Sequence, residues 1–156
     1  MDFKYLFTSF DGRIGRKQFW LGILMIVIAS FVLIVVLGFT IGLFLPTAMV
    51  SLIGTVIIFY PSLALSMKRL HDRNKGAKPW AYIFFGPGIL MHLMQITGIG
   101  FTTSVFAGEE IVLPSNGLVT IFSIVGAAIG LWALVEFGIL KGTDGDNQFG
   151  PDPLKT

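Results

Sequence analysis

Arg13 and Arg16 stand three residues apart and could present two guanidinium groups on one helical face. Such forks bind phosphate or carboxylate through paired hydrogen bonds, so with Arg69 they form a candidate anion or lipid-headgroup site at a bilayer surface. The competing use is structural: the arginines fix topology and pair with Asp72, Asp144 or Asp146, clamping the tail. His71 and Asp72 suggest a general base with its orienting acid, which an interfacial lipid-modifying enzyme would need. Adjacent residues on a helix do not face each other, however, and neither a serine or cysteine nucleophile nor a cluster of metal ligands accompanies them. A helix cap, or a hydrogen bond from His71 to the tail, is the plainer use. Asp144 to Phe149 has an aspartate-rich look but fails the calcium-loop pattern, because Phe149 takes the glycine position and Lys155 that of the closing glutamate. No metal or other cofactor is expected, and the tail reads as a turn-rich cap.

Two ionisable residues lie within apolar stretches. Glu136 is 18 residues into the last of them, roughly 27 Å from its outer end, and Arg13, Arg16 or Arg69 are its expected partners. His92 lies about 18 Å past Trp80, with Gln95 one turn on and a helix break expected at Gly86-Pro87-Gly88. Irregular backbone at membrane depth lines cavities or is buried in protein. His92, Gln95 and Glu136 therefore define a second functional reading, a small dimeric transporter or channel with these residues in its pathway.

The elements that must carry these residues are set by hydropathy. Of 156 residues, 54% are hydrophobic and 13% charged, and the mean hydropathy is +0.81, which excludes an ordinary soluble domain. The net charge of +2 gives no basis for nucleic-acid binding, and without cysteine there are no disulfides or thiolate sites. Fifty uncharged residues separate Lys17 from Lys68. As one helix they would run about 75 Å, more than twice a bilayer core of about 30 Å. The chain must double back, and Pro46 is the expected place. Four spans follow, about 19–45, 48–67, 80–101 and 117–140. The first is too long for a signal peptide and lacks an A-x-A-like site, so it is expected to remain as an anchor.

All eleven basic residues then fall on one side, since the outer segments carry none. That places both termini in the cytoplasm. Phe3, Leu6, Phe7, Phe10 and Ile14 mark one face of a short amphipathic helix over Asp2 to Phe10, lying in the interface within a cytoplasmic segment 1–18. Residues 19–140 form the transmembrane domain and 141–156 a cytoplasmic tail. Trp20, Trp80 and Tyr82 are headgroup-level anchors. The fold class is therefore an all-α membrane protein of four helices, N-in and C-in. Gly38 with Gly42 and Gly126 with Gly130 are small-x-x-x-small pairs that would pack the monomer or build a homodimer.

Three polar motifs converge on the cytoplasmic side: Phe10-Asp11-Gly12-Arg13-Ile14-Gly15-Arg16-Lys17-Gln18-Phe19-Trp20, Lys68-Arg69-Leu70-His71-Asp72-Arg73, and Gly145-Asp146-Asn147-Gln148-Phe149-Gly150-Pro151-Asp152-Pro153. With them the chain resembles the DUF805 family of small bacterial inner-membrane proteins, whose hallmarks are F-x-G-R-x-x-R-x-x-F-W, R-L-H-D and G-x-N-x-[YF]-G-P-D-P. The resemblance covers essentially the whole chain and implies a multi-pass protein of the bacterial inner membrane. It implies no activity, the family being defined by sequence. The pattern departs after Asp72, where the family's glycine and S-G-W-W give way to Arg73-Asn74-Lys75-Gly76-Ala77-Lys78-Pro79-Trp80. The leading expectation is a non-enzymatic protein whose motifs staple termini and central loop together, engaging anionic lipid or a protein partner. Phe10, Arg13, Arg16, Trp20, Arg69, His71, Asp72, Asn147 and Pro151 are its expected residues.

Overall fold

The computed structural model describes residues 2–155. The chain divides into two units, Met1–Trp80 together with Val135–Thr156, and Ala81–Leu134.

The first unit opens with α1 (Phe3–Thr8), shorter than the expected Asp2 to Phe10. Asp2 is its N-cap, accepting the Tyr5 amide at 3.1 Å, and Ser9 is already extended. The other end is closed by a distant residue: Lys68 Nζ donates to the carbonyls of Tyr5 (2.7 Å), Leu6 (2.8 Å) and Ser9 (2.5 Å). A cation thus supplies donors to carbonyls at the end of a helix, where the Tyr5 carbonyl also accepts the Ser9 amide at 3.4 Å. Gly12, at φ +81°, lies so close to the Tyr5 ring that a side chain there would collide with its hydroxyl.

Helices α2 (Arg16–Phe39) and α3 (Thr47–Asp72) follow, 24 and 26 residues long. The first expected span, 19–45, ends early at Phe39, because the reversal uses Thr40, a 3-10 turn over Ile41–Leu43, and Pro46 as the extended N-cap of α3. Conversely, α3 runs past the expected residue 67 and carries Lys68 to Asp72 on its last turns. The two helices meet where Gly22 leaves room for Leu65; a Cβ on Gly22 would stand 2.6 Å from Leu65 Cδ1.

Burial concentrates at this end. Leu6, Ile14, Phe19, Ala64, Leu65, Met67, Leu70 and Phe137 are buried, and so are Arg13, Lys68, Arg69, Asp72 and Glu136. Farther along the helices, Phe31, Ile34 and Phe39 are exposed, the reverse of a water-soluble pattern. Among the described residues three helices are long and apolar enough to cross a membrane: Arg16–Phe39, Thr47–Asp72 and Gly117–Ile139.

The second unit holds most of α4 (Ala77–Thr97), whose Lys78 is non-helical. The break expected at Gly86-Pro87-Gly88 is not there; the helix continues through Pro87, which forfeits only one amide donor. It stops at Thr97, short of the expected residue 101, since Gly98 and Gly100 take φ of +73° and +75°. Diluted by Gly86, Pro87, Gly88, His92 and Gln95, α4 falls outside the three strongly apolar helices.

The all-α expectation is corrected by an antiparallel hairpin, β1 (Phe101–Phe106) and β2 (Glu109–Pro114), which pairs Phe101 with Pro114 and Phe106 with Glu109. Its two-residue turn, Ala107-Gly108, has φ of +53° and +87°, the geometry that matches strand twist. Asn116 then caps α5 (Gly117–Leu134), accepting the Val119 amide at 3.1 Å. The fourth expected helix is not α-helical to residue 140. Its last turn is a π-turn, Val135–Ile139, closed by Leu140 N–H donating to the Val135 carbonyl at 3.0 Å.

The Gly22–Leu65 contact yields a stability test. Gly22→Val should destabilise the protein by roughly 1–3 kcal/mol through overpacking, read as a lower melting temperature in mild detergent. Gly38→Val, whose Cβ would meet nothing within 4 Å inside its own unit, should show no comparable loss.

Candidate functional site

The last turn of α3 places Arg69 and Asp72 on one helical edge, three residues apart. Asp72 Oδ1 accepts Arg13 Nε at 3.2 Å and Nη2 at 3.0 Å, and Oδ2 accepts Arg69 Nη1. Arg13 spends its other donors on the tail: Nη2 bonds the Thr143 carbonyl at 2.8 Å, and Nη1 bonds those of Gly145 (2.7 Å) and Gly150 (3.2 Å). Arg69 bonds the Phe137 carbonyl through Nε at 2.6 Å and the Leu140 carbonyl through Nη2. One carboxylate thus lies between two buried guanidinium groups. The excess positive charge is met by carbonyl dipoles of the π-turn and tail. Thr143 adds a backbone link, its N–H and Oγ1 donating to the Asp72 carbonyl at 2.8 and 3.0 Å. Any side chain on Gly142 would collide with the Asp72 carboxylate.

His71 faces the other way. Its Nδ1 donates to the Gly12 carbonyl at 3.1 Å, and its ring stacks on Phe149 with centroids 4.0 Å apart. Asn147 Nδ2 donates to the His71 carbonyl at 2.9 Å, tying the tail to the helix end. Asp152 closes the tail on itself, accepting the Gly145 and Leu154 amides at 3.0 Å each. Those bonds, first from Leu154 and then from Gly145, hold its carboxyl below the ordinary aspartate range. Pro151 is exposed beyond Gly150.

The remaining sequence candidates are distributed differently from expectation. Arg16 does not join Arg13 and Arg69 at Asp72: as the first residue of α2 it reaches the Ile139 carbonyl at 3.2 Å. Trp20 Nε1 donates to the Gly138 carbonyl at 3.1 Å, and Phe10 packs edge-on against Tyr60. Glu136 pairs with Arg73 at 2.7 Å and Lys75 at 2.6 Å, not with Arg13, Arg16 or Arg69, because the π-turn directs it to the loop after α3. Glu136 belongs to the first unit, whereas half-buried His92 and exposed Gln95 lie on α4 in the second. Within their own units a Cβ on Gly38, Gly126 or Gly130 would meet nothing within 4 Å. Sequence reasoning gave no role to Gly142 or Thr143 and no partners to Lys68 or to the Arg73/Lys75 pair. Only the last had a signal, a basic loop in a chain with one deeply placed acid.

A family model described as "Protein of unknown function (DUF805)" matches residues 7–151, from α1 through the tail that Arg13 holds. The chain belongs to the DUF805 family. Among its relatives, the uncharacterized protein YiiR of Escherichia coli K12 is 30% identical over 144 residues, covering 92% of this chain and 85% of the relative. The inner membrane proteins YhaI and YhaH of the same strain are 27% and 26% identical, covering 94% of this chain and 87% and 88% of theirs. No solved structure matches the chain.

For this DUF805 chain, removing Asp72 leaves two buried guanidinium groups facing each other, and removing Arg13 leaves Asp72 with Arg69 alone and takes a donor from the Thr143, Gly145 and Gly150 carbonyls. Arg13→Ala and Asp72→Asn should each cost about 3–5 kcal/mol, measured by unfolding in mixed micelles; unchanged stability in both would remove the network's structural role. Asp152 gives a pH test. Its depressed pKa contributes stability that is complete above the unfolded value of about 4 and lost as pH falls through the lower folded value. Exchange protection of the Gly145 and Leu154 amides, corrected for intrinsic rate, should drop over that acidic window. The step should be absent in Asp152→Asn.

Proposed function

We propose that the chain is a non-enzymatic integral protein of the bacterial inner membrane, with four spans and both termini cytoplasmic. In this reading the Arg13–Asp72–Arg69 assembly is a clamp that fixes the N-terminal segment, the end of α3 and the tail at the cytoplasmic face. The observation that carries it is the buried Arg13 side chain bound at once to Asp72 and to the carbonyls of Thr143, Gly145 and Gly150. The membrane assignment is supported by three strongly apolar helices with exposed apolar flanks, and by relatives named inner membrane proteins.

Parity supports the fourth span. Thr143 N–H is bonded to the Asp72 carbonyl at 2.8 Å, so the chain must return to the same side between these residues. If α5 with its π-turn crosses once, α4 must cross as well, despite its lower apolarity. All eleven basic residues then face the cytoplasm, and the hairpin with Glu109 and Glu110 lies outside. A role without catalysis is supported by the engagement of both groups that hydrolysis would use: Asp72 has each oxygen in an ion pair, and His71 is stacked and bonded to Gly12.

Since the chain has no cysteine of its own, topology is directly testable. Single variants Lys4→Cys, Lys155→Cys and Glu109→Cys should divide, with position 109 reacting with an impermeant maleimide in spheroplasts and positions 4 and 155 reacting only in inverted vesicles. Labelling of 109 and 155 from the same side would overturn the four-span reading.

A further inference from the structure

We infer that the cavity beside the N-terminus of α2 binds the phosphate group of an anionic membrane lipid. This rests on the four-span reading, which sets that end of α2 at the level of the cytoplasmic headgroups. The cavity measures about 300 Å³ and is walled by Gly15, Arg16 and Lys17 on one side and by Lys141, Thr143 and Leu154 of the tail on the other. Arg69 and Asp72 of the clamp also line it, but their charges are committed, since Arg13 and Arg69 are spent on Asp72 and on carbonyls.

The free cationic capacity lies elsewhere. Arg16 gives one N–H to the Ile139 carbonyl. Among the described residues, no carboxylate lies within ion-pair distance of Arg16 or Lys17. Lys141 pairs with Asp144 at 2.7 Å, but both are exposed, so an arriving phosphate can replace the carboxylate at small cost. Three acids also line the cavity: Asp72 is neutralised by two arginines, the oxygens of Asp152 are turned to the amides of Gly145 and Leu154, and exposed Asp144 is the partner that Lys141 gives up. Gly15 has no side chain to cap the first amides of α2, and these add donors of the same sign.

What selects a lipid over a soluble phosphate is the surface below the cations. Lys17, Leu21, Leu24 and Ile28 fall at i, i+4, i+7 and i+11 on one face of α2, and the three apolar residues are 41%, 55% and 56% exposed. A headgroup held at Arg16 and Lys17 therefore has an apolar track for its acyl chain running directly away from the charge.

The full chain is released from neutral detergent in a native mass spectrometer after incubation with phosphatidylglycerol, with phosphatidylcholine or with inorganic phosphate. Phosphatidylglycerol should be retained selectively by the unaltered protein and by Lys4→Gln, a surface control, and at least about tenfold less by Arg16→Gln/Lys17→Gln. The lipid-free double variant should melt within a few degrees of the unaltered protein; if it melts far lower, the single variants Arg16→Gln and Lys17→Gln replace it. Equal retention of phosphatidylcholine, or full retention of phosphatidylglycerol by these variants, overturns the site. Inorganic phosphate binding as tightly as phosphatidylglycerol overturns the lipid as its source. Failure of the clamp would look different: Arg13→Ala would melt normally, while lipid retention through Arg16 and Lys17 persisted.

Discussion

The Asp72 carboxylate, held between the guanidinium groups of Arg13 and Arg69, is the interaction on which the arrangement of the first unit depends. Burying three charged groups is expensive, and the attraction between them offsets that cost only when the remaining donors are also satisfied. Here the donors find carbonyls at Phe137, Leu140, Thr143, Gly145 and Gly150. The tail is thus part of the electrostatic solution. Without those carbonyls the buried excess of positive charge would go unsolvated, and without the arginines the segment beyond Lys141 would keep only its contacts through Thr143, Asn147 and Phe149 to the end of α3.

In the proposed membrane setting, a polar core at one end suits helices whose middles expose apolar side chains. Lipid tails are as apolar as the side chains of Phe31 or Ile34, so hydrophobic burial gives these helices almost no reason to associate. Specificity must come from close packing and from polar contacts whose geometry admits one register. Gly22 against Leu65 supplies the first. The Asp72 network supplies the second, together with Lys68 at the carbonyls of α1, because a slip by one residue would leave several charges buried without partners.

The apolar segments were legible in the sequence because fifty uncharged residues permit few solutions, and the meeting of Arg13 with Asp72 could be anticipated once the basic residues fell on one side. Other features were not legible for physical reasons. The hairpin at Phe101–Pro114 is set by two consecutive positive-φ residues, one of them Ala107, which turn statistics do not favour at that position. The partners of Glu136 depend on a π-turn that shifts every later side chain, and no periodicity in an evenly apolar helix announces one. Arg16 is separated from Arg13 by Gly15, the non-helical N-cap of α2, so the two arginines never share a helical face.

That π-turn also gives meaning to the place where the chain departs from the family pattern it resembles. Glu136 is buried, and a lone carboxylate there would cost several kilocalories or take up a proton. Arg73 and Lys75 both reach it from the loop after α3, Arg73 also bonds the Lys141 carbonyl at 2.8 Å, and Lys75 stands 4.0 Å from the Trp80 ring centroid. These two cations belong to the longer, more basic segment that replaces the compact glycine and tryptophan run. In this chain the buried acid at the end of the last helix is therefore neutralised by the basic loop beside it. Like Asp72 with its arginines, Glu136 is a single buried carboxylate bridging two cations, so the same device is used twice at this end of the molecule.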